Sequence, residues 1–290
     1  MTDKNKFLMK TAAWSSRALP SPVKRWLYKV PFLARFIRGS LNAATPEGIT
    51  EVTIAAGVLE GMRMSLDLHA EKDYWLGTYE PDLQAAARQF IKPGMVVYDV
   101  GANIGYISLM AARLTEGLGN VYAFEALPAN IARLKQNVAL NAMQERVRVI
   151  HAAVVDKTGE ASFLAHTSGA MGKALGSAGR DEHYAQTIKI KGIALDDFVF
   201  KQKNPVPSVI KMDIEGGVGM TLAGMPRVLK EIRPVLLIEL HGEEAARQVW
   251  GCLKANDYTL HPMRKGAPAI RSLSELDWKA YVVATPDSQI

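Results

Sequence analysis

The chain has 290 residues, of which 48% are hydrophobic and 22% are charged, a composition typical of globular domains rather than of disordered or collagen-like chains. No apolar run approaches the roughly 20 residues that a membrane-spanning helix needs, and we expect no secretory leader. Cys252 is the single cysteine, which excludes an intrachain disulfide and a cysteine-based zinc site. These features predict one or two domains in a reducing, cytoplasmic compartment.

The net charge of +6 is distributed unevenly along the chain. Residues 1–40 hold nine basic residues and one acidic residue, a net charge of +8, so the rest of the chain sums to −2. A nucleic-acid-binding protein usually carries its basic surface on the folded domain itself. We therefore expect no nucleic-acid partner, and we treat residues 1–45 as a separate segment.

That segment contains the pattern of a basic amphipathic helix. Ser21-Pro22 is a typical helix start and Gly39 a typical end. Apolar residues recur between them at spacings of three and four, and they are Val23, Trp26, Leu27, Val30, Leu33 and Ile37. Two interpretations stay open. Either the helix lies on an anionic membrane, peripherally on the inner face, or it packs on the folded body with its basic face in water.

The rest of the chain predicts a β-hairpin followed by an α/β domain. Alternating apolar residues over 51–68 predict the hairpin, so we take 46–80 as hairpin and lead-in and 81–290 as the main domain. A helix is expected from Pro81 to Ile91. Strands are then expected at Met95–Val100, Val121–Phe124, Val147–Val155, Val209–Met212 and Val235–Leu240, with helices at Ile104–Leu114, Pro128–Leu140 and Gly217–Ile232. This alternation predicts a doubly wound α/β sheet with helices on both faces, and the Gly-rich interval His166–Tyr184 is predicted to be a loop.

The first strand of this domain leads into a glycine-rich turn. It ends at Asp99, and Gly101, Asn103 and Gly105 follow before the next helix. We expect the glycines to let the backbone approach a ligand closely, at the edge of the sheet where open α/β proteins bind ligands. Their G-x-x-x-G spacing differs from the G-x-G-x-x-G fingerprint of dinucleotide-binding proteins.

An acidic residue, Glu125, follows the second strand. A carboxylate at that place accepts hydrogen bonds from the two hydroxyls of a ribose, although a glutamate there also serves as a cap for the next helix. Together with the glycine turn, Glu125 predicts an adenosine-bearing cofactor.

Several sequence blocks resemble class I S-adenosylmethionine-dependent methyltransferases, and the FkbM family in particular. The blocks are DVGANIG (99–105), FEALPAN (124–130), IKMDIEGG (210–217), YWLGTYEP (74–81), GIALDDF (192–198) and PVLLIELHG (234–242). The resemblance covers residues 74–261 and implies a Rossmann-like class I fold that binds S-adenosyl-L-methionine. Two positions depart from the family, because Gly217 and Val218 stand where the family usually has alanine and glutamate, so an acid often found there is missing.

The resemblance also implies which residues hold the cofactor. The turn residues would surround its methionine moiety and ribose, Glu125 would bind the ribose hydroxyls, and Ala126 would lie beside the adenine. Tyr79 and Glu80 would cover its amino-acid end. The expected cofactor-binding residues are thus Tyr79, Glu80, Asp99, Gly101, Ala102, Asn103, Gly105, Glu125 and Ala126.

Four residues near the ends of the fourth and fifth strands are the candidate catalytic groups: Asp213, Glu215, Glu239 and His241. Methyl transfer to a hydroxyl needs aligned reactants and benefits from a general base, for which His241 is suited at neutral pH. Asp213 has an alternative role as a helix cap, and His241 as a structural residue. Lys211 is expected to neutralise a nearby acid. A magnesium ion shared by Asp213 and Glu239 is conceivable in this arrangement, but we predict no metal.

The sequence therefore predicts an O-methyltransferase. Its acceptor would be a hydroxyl of a sugar, glycolipid, polyketide or similar metabolite, either free or lipid-linked. An NAD-dependent oxidoreductase and a catalytically inactive, membrane-associated scaffold with a methyltransferase fold are the alternatives. The glycine spacing and the lack of a Tyr-x-x-x-Lys pair weigh against the oxidoreductase, whereas the altered continuation at Gly217 leaves the scaffold open.

Overall fold

A computed structural model describes residues 11–12, 14–15, 45, 47–117, 119–166, 172–175, 177, 184–264, 266–279 and 281–287. The helix predicted over residues 21–39 lies outside the described residues. The chain divides into two units, Met1–Pro81 and Asp82–Ile290, and each is described by itself. None of the described helices is long and apolar enough to cross a membrane.

The first unit contains the predicted β-hairpin. Strand β1 (Ile49–Thr53) pairs antiparallel with β2 (Arg63–Asp67), and a short helix, α1 (Lys72–Leu76), follows. The helix ends at Gly77, whose φ of 69° lies in the left-handed region. A Cβ atom at Gly77 would lie 1.9 Å from the Ala56 carbonyl oxygen, so only glycine fits this helix end.

The second unit begins with helix α2 (Pro81–Phe90), close to the predicted bounds. Its strands are β3 (Val96–Val100), β4 (Asn120–Glu125), β5 (Val147–His151), β6 (Ala153–Val154), β7 (Gly159–His166), β8 (Gly172–Ala174), β9 (Tyr184–Ile193), β10 (Val209–Met212), β11 (Val235–Glu239), β12 (Tyr258–Pro262) and β13 (Tyr281–Pro286). Its remaining α-helices are α3 (Tyr106–Leu114), α4 (Pro128–Leu140), α5 (Val218–Ala223) and α6 (Glu243–Lys254). Short π-helices lie at Asp197–Lys201 and Val228–Ile232, and a 3-10 turn at Leu273–Glu275.

Seven of these strands form one sheet in the order β12-β13-β11-β10-β3-β4-β5. All neighbouring pairs are parallel except those of β13, which runs antiparallel to β11 and β12. Tyr98, Phe124, Ile210 and Leu236 are fully or almost fully buried in the core beside this sheet. The strands β3, β4 and β5 form one half of the sheet in chain order. The other half begins at β10, which pairs with the opposite edge of β3. This reversal creates a crevice at the carboxyl ends of β3 and β10, and the predicted α/β fold is confirmed.

A second, four-stranded sheet, β6-β9-β7-β8, corrects two predictions. The strand expected over Val147–Val155 is divided at Ala152, so that its first part joins the large sheet and its last part the small one. The predicted loop His166–Tyr184 is wrong in part, because Gly172–Ala174 forms β8 and pairs with β7. Ala174 and Phe163 are buried against Ala126 and Leu127, so this segment contributes to a small core.

The single helix expected over Gly217–Ile232 is also wrong. The helix α5 ends at Ala223, and a π-helix begins at Val228. At Gly224 the backbone passes so close to Val155 that a Cβ atom would lie 2.2 Å from the Val155 carbonyl oxygen. Pro226 follows, and it lacks the N–H that a continuing helix requires.

Candidate active site

The glycine turn after β3 lies against the protein's own backbone. Gly101 N and Ala102 N donate hydrogen bonds to the Phe124 carbonyl oxygen, at 3.0 and 2.9 Å. A Cβ atom at Gly101 would lie 2.0 Å from the Asp213 carbonyl oxygen, and one at Gly105 would lie 2.4 Å from a Leu134 methyl group. Both glycines have positive φ angles, 77° and 94°. Close packing within the protein therefore requires these glycines, in addition to any ligand the turn binds.

Asp99 and Lys211 form a buried ion pair beneath the turn. Lys211 Nζ lies 3.1 Å from Asp99 Oδ1 and donates to the Gly101 carbonyl oxygen at 2.9 Å. Ser108 Oγ donates to the other Asp99 oxygen at 2.6 Å. Lys211 Nζ also lies 3.8 Å from Asp213 Oδ2, so the expectation that Lys211 neutralises an acid is confirmed. The lysine thus joins the glycine turn to the candidate catalytic aspartate.

The Glu125 carboxylate accepts hydrogen bonds from the turn after β3 and from the segment after β4. Its Oε2 accepts a hydrogen bond from Asn103 N at 2.8 Å, and its Oε1 accepts from Ala126 N at 2.9 Å and Leu127 N at 2.8 Å. Burial raises the pKa of Glu125, although these bonds and one from the Asn130 side chain lower it. Four donors occupy most of the acceptor capacity of a carboxylate. A ribose hydroxyl would therefore have to replace one of these donors.

The four candidate catalytic residues form one cluster at the carboxyl ends of β10 and β11. His241 Nε2 lies 3.2 Å from Asp213 Oδ1 and 3.8 Å from Glu239 Oε1. His241 Nδ1 lies 3.8 Å from Glu215 Oε2. The His241 side chain is 9% exposed, whereas those of Asp213 and Glu215 are 29% and 28% exposed. The imidazole is thus held among three carboxyl groups that solvent partly reaches.

Close packing shifts the pKa values in this cluster in different directions. Burial would raise the pKa of Asp213, but the Lys211 charge and the His241 hydrogen bond hold it below its usual value. Burial raises the pKa of Glu239 to about 8, and the negative charge of Asp213 and the hydrogen bond to it act in the same direction. Burial would lower the pKa of His241, yet the bond to Asp213 and the nearby carboxylates raise it. Glu239 therefore keeps a proton at neutral pH that a free glutamate would release.

The alternative role of Asp213 as a helix cap is wrong. Helix α5 has Gly217 at its N-cap position and no side-chain cap bond, and Asp213 bonds to His241 instead. Ligand atoms of Asp213, Glu239 and His241 lie within 4.8 Å of one another, a spacing that suits a metal ion. Lys211 already supplies positive charge there, so we keep the prediction that no metal is used.

Tyr79 and Glu80, expected to cover the cofactor, belong to the first unit. The Tyr79 ring lies 4.3 Å from the Tyr74 ring, centroid to centroid, and Glu80 has a positive φ of 40°. Their contact with a cofactor stays a prediction.

Sequence reasoning missed two contributions to the site. Tyr281, at the start of β13, donates a hydrogen bond from its hydroxyl to Glu239 Oε1 at 2.8 Å. Ser177 Oγ, from the segment after β8, donates to the Glu215 carbonyl oxygen at 3.3 Å. No local sequence signal marks either residue, because antiparallel pairing and the second sheet bring them to the site.

A cavity of about 290 Å³ lies elsewhere in the second unit, between α2 and the strands β12 and β13. Its lining includes Gln89, His261, Arg264 and Thr285, and none of the candidate site residues.

The strand order, with its antiparallel β13, and the acidic residue at the end of β4 define a Rossmann-like methyltransferase fold of class I. The family described as the methyltransferase FkbM domain matches residues 99–263, more than half of the chain. The chain therefore belongs to the FkbM methyltransferase family, as the sequence resemblance predicted. All four candidate catalytic residues lie within the matched part.

The hexuronic acid methyltransferase AglP of Haloferax volcanii is 30% identical over 149 residues, which cover 50% of this chain and 56% of that protein. The match thus spans little more than half of the length of this relative. Among solved structures, a methyltransferase FkbM from Methylobacillus flagellatus KT is 17% identical, with a TM-score of 0.45 over 75% of this chain and 53% of that one. An S-adenosylmethionine-dependent O-methyltransferase from Thermotoga maritima is 14% identical, with a TM-score of 0.42 over 72% and 65%.

Proposed function

We propose that this methyltransferase transfers a methyl group from S-adenosylmethionine to a hydroxyl group of a sugar or of a glycan-containing acceptor. One observation carries the proposal: the Asp213–His241 pair lies at the same sheet edge as the glycine turn, and Lys211 bonds to that turn while lying 3.8 Å from Asp213. A potential base is thus held beside a cofactor site.

The charges at this edge suit S-adenosylmethionine better than a dinucleotide. Asp213 and Glu215 lie at this edge of the sheet, and Lys211 is already paired with Asp99. Carboxylates favour a cationic sulfonium and disfavour a pyrophosphate. This arrangement argues against the NAD-dependent alternative.

S-adenosylmethionine, when bound, supplies an electrophilic methyl group on a positively charged sulfur. Glu125 would accept bonds from its ribose hydroxyls, and the turn from Gly101 to Gly105 would hold its methionine end. The chain's residues have then to orient the acceptor hydroxyl and take up its proton.

Asp213 and His241 supply that proton acceptor. A carboxylate only accepts hydrogen bonds, so the 3.2 Å contact assigns a proton to Nε2 and leaves the lone pair of the neutral imidazole on Nδ1. Lys211 keeps Asp213 ionised, and Asp213 stabilises the imidazolium that forms. His241 Nδ1 would take up the proton of the acceptor hydroxyl as its oxygen receives the methyl group, and the pair of the broken carbon–sulfur bond would stay on the sulfur of the bound cofactor.

The relative from Haloferax volcanii supports a sugar acceptor, because its name describes a hexuronic acid methyltransferase. A hydroxyl of a polyketide or of another metabolite is the second candidate acceptor.

Titration calorimetry with S-adenosylmethionine and with NADH, followed by an assay for S-adenosylhomocysteine with a panel of hexoses, hexuronic acids and lipid-linked sugars, tests the proposal. We expect binding of S-adenosylmethionine alone and product formation with at least one glycan acceptor. Binding of NADH would favour the oxidoreductase. Cofactor binding without turnover on extracts of the source cells would favour the inactive scaffold.

A further inference from the structure

Tyr281 reaches the candidate active site from outside the part of the chain that the family match covers. The match ends at residue 263, and β13 begins at Tyr281. Antiparallel pairing of β13 with β11 places Tyr281 directly opposite Glu239. Directly opposed residues of a pleated sheet project to the same face, so the two side chains meet. The Tyr281 hydroxyl donates to Glu239 Oε1 at 2.8 Å.

The hydrogen bond from Tyr281 restrains the carboxyl group of Glu239, which lies beside a second carboxyl group, that of Asp213. Glu239 is hydrogen-bonded to Asp213, and His241 Nε2 lies 3.8 Å from its Oε1. Two adjacent carboxyl groups repel each other when both are ionised, unless one holds a proton. The charged and titratable groups that face this pair are His241 from the segment after β11, Lys211 and Glu215 from the β10 side, and Tyr281 from β13.

We propose that Tyr281 is a positioning residue for methyl transfer: its hydroxyl fixes the Glu239 carboxyl group against Asp213, and thereby holds the Asp213–His241 pair in the orientation that takes up the acceptor's proton. The inference rests on the proposed function, and it adds a residue from β13 to the site. Tyr281 touches neither substrate nor cofactor in this role, because it acts through Glu239.

The substitution Tyr281→Phe removes one oxygen atom and keeps the ring that packs on the sheet. We expect its thermal midpoint to stay within a few degrees, its affinity for S-adenosylmethionine within about twofold, and its kcat to fall at least about fivefold. The Tyr281 bond lowers the pKa of Glu239, so its loss should also move the alkaline limb of the pH–rate profile, where Glu239 releases its proton, to higher pH.

Two further variants make the test specific. Tyr258→Phe removes a hydroxyl that bonds to the Pro234 carbonyl oxygen, away from the cluster, and should leave kcat and the pH profile unchanged. In a Glu239→Gln background, Tyr281→Phe should have much less effect, because the two residues act as one unit.

The possible outcomes are distinct. Turnover and a pH profile that match the wild type in Tyr281→Phe would overturn the inference, as would effects of Tyr281→Phe and Glu239→Gln that simply add. A fall in activity that only follows a fall in the thermal midpoint would overturn it too, by showing a purely structural role. If the wild-type protein itself transfers no methyl group, the proposed function fails and not the role of Tyr281 alone.

Discussion

At the scale of single residues, the site is organised by charges that the fold keeps close together. Lys211 is almost fully buried, and it lies within ion-pair distance of both Asp99 and Asp213. A buried charge without a partner is strongly destabilising, so each member of this group depends on the others. Asp99 and Lys211 thus serve the fold, while Asp213, at the partly exposed end, is available for chemistry.

Substituting Asp213 should therefore affect turnover more than folding. In Asp213→Asn, Lys211 keeps its partner Asp99, but His241 loses the carboxylate that orients it and stabilises its protonated form. We expect turnover to fall at least about tenfold, and the thermal midpoint to drop by no more than a few degrees. Asp197→Asn, at an exposed ion pair with Lys201, is the control and should leave turnover intact. A collapse of thermal stability in Asp213→Asn would assign the residue to the fold instead.

The raised pKa of Glu239 predicts a particular pH dependence of stability. The folded protein keeps this proton up to about pH 8, whereas the unfolded chain releases it near 4.5. The native state thus binds the proton more tightly, so the stability due to Glu239 is complete below the unfolded pKa and is lost as pH rises toward 8. In urea denaturation, the unfolding free energy of the wild type should therefore fall relative to that of Glu239→Gln as the pH rises from about 5 to about 8.

Glu231→Gln is the control for this pH series. The hydrogen bond from Arg227 lowers the pKa of Glu231, so its contribution is present throughout that range and is lost only in more acidic solution. A flat difference curve for Glu239→Gln would show that Glu239 is ionised in the folded protein at neutral pH.

At the scale of elements, the turn after β3 and the end of β10 form one closely packed unit. Asp213 N donates to the Val100 carbonyl oxygen, and Gly101 approaches the Asp213 carbonyl oxygen too closely for any side chain. The turn that would bind the cofactor and the aspartate that would act in transfer therefore cannot move independently.

Gly101→Ala tests this close approach. Alanine would be strained at a φ of 77° and would also collide with the Asp213 carbonyl oxygen. Gly94 has a similar φ of 81°, but a Cβ atom added there would have no other atom within 4 Å. Gly94→Ala therefore measures the backbone strain alone. We expect Gly94→Ala to lower the unfolding free energy by about 1 kcal/mol, and Gly101→Ala by clearly more and with lost cofactor binding. Equal losses in chemical denaturation would mean that the turn relaxes away from β10.

Most of the sheet could be predicted from the sequence because buried parallel strands appear as short apolar runs. The bounds of β10 and of α4 agree with their predictions to the residue. The part that escaped prediction depends on long-range geometry: the pairing of Tyr281 with Glu239, and the small sheet that recruits Gly172–Ala174. Clustering of Asp213 with His241 was predictable, since both follow neighbouring parallel strands, but the bonds that saturate Glu125 were not.

At the scale of the whole molecule, the charge distribution separates residues 1–40, with net charge +8, from a body of net charge −2. A basic segment with an apolar stripe binds anionic lipid through both charge and burial of its apolar face. We propose that residues 1–40 attach the enzyme reversibly to anionic membranes, which would bring the site close to lipid-linked acceptors.

Each basic residue near an anionic leaflet contributes about 1 kcal/mol, and salt screens that contribution. The wild-type chain should therefore co-sediment with phosphatidylserine-containing liposomes at low salt and be released as salt is raised. Replacing Lys24, Arg25, Arg35 and Arg38 by glutamate removes the net charge of the segment and should abolish binding. The same replacement of the exposed Lys92, Lys157, Lys203 and Lys230 changes the total charge equally and should leave binding intact. If the wild type stays in the supernatant, or if both variants lose binding alike, residues 1–40 are not a membrane attachment.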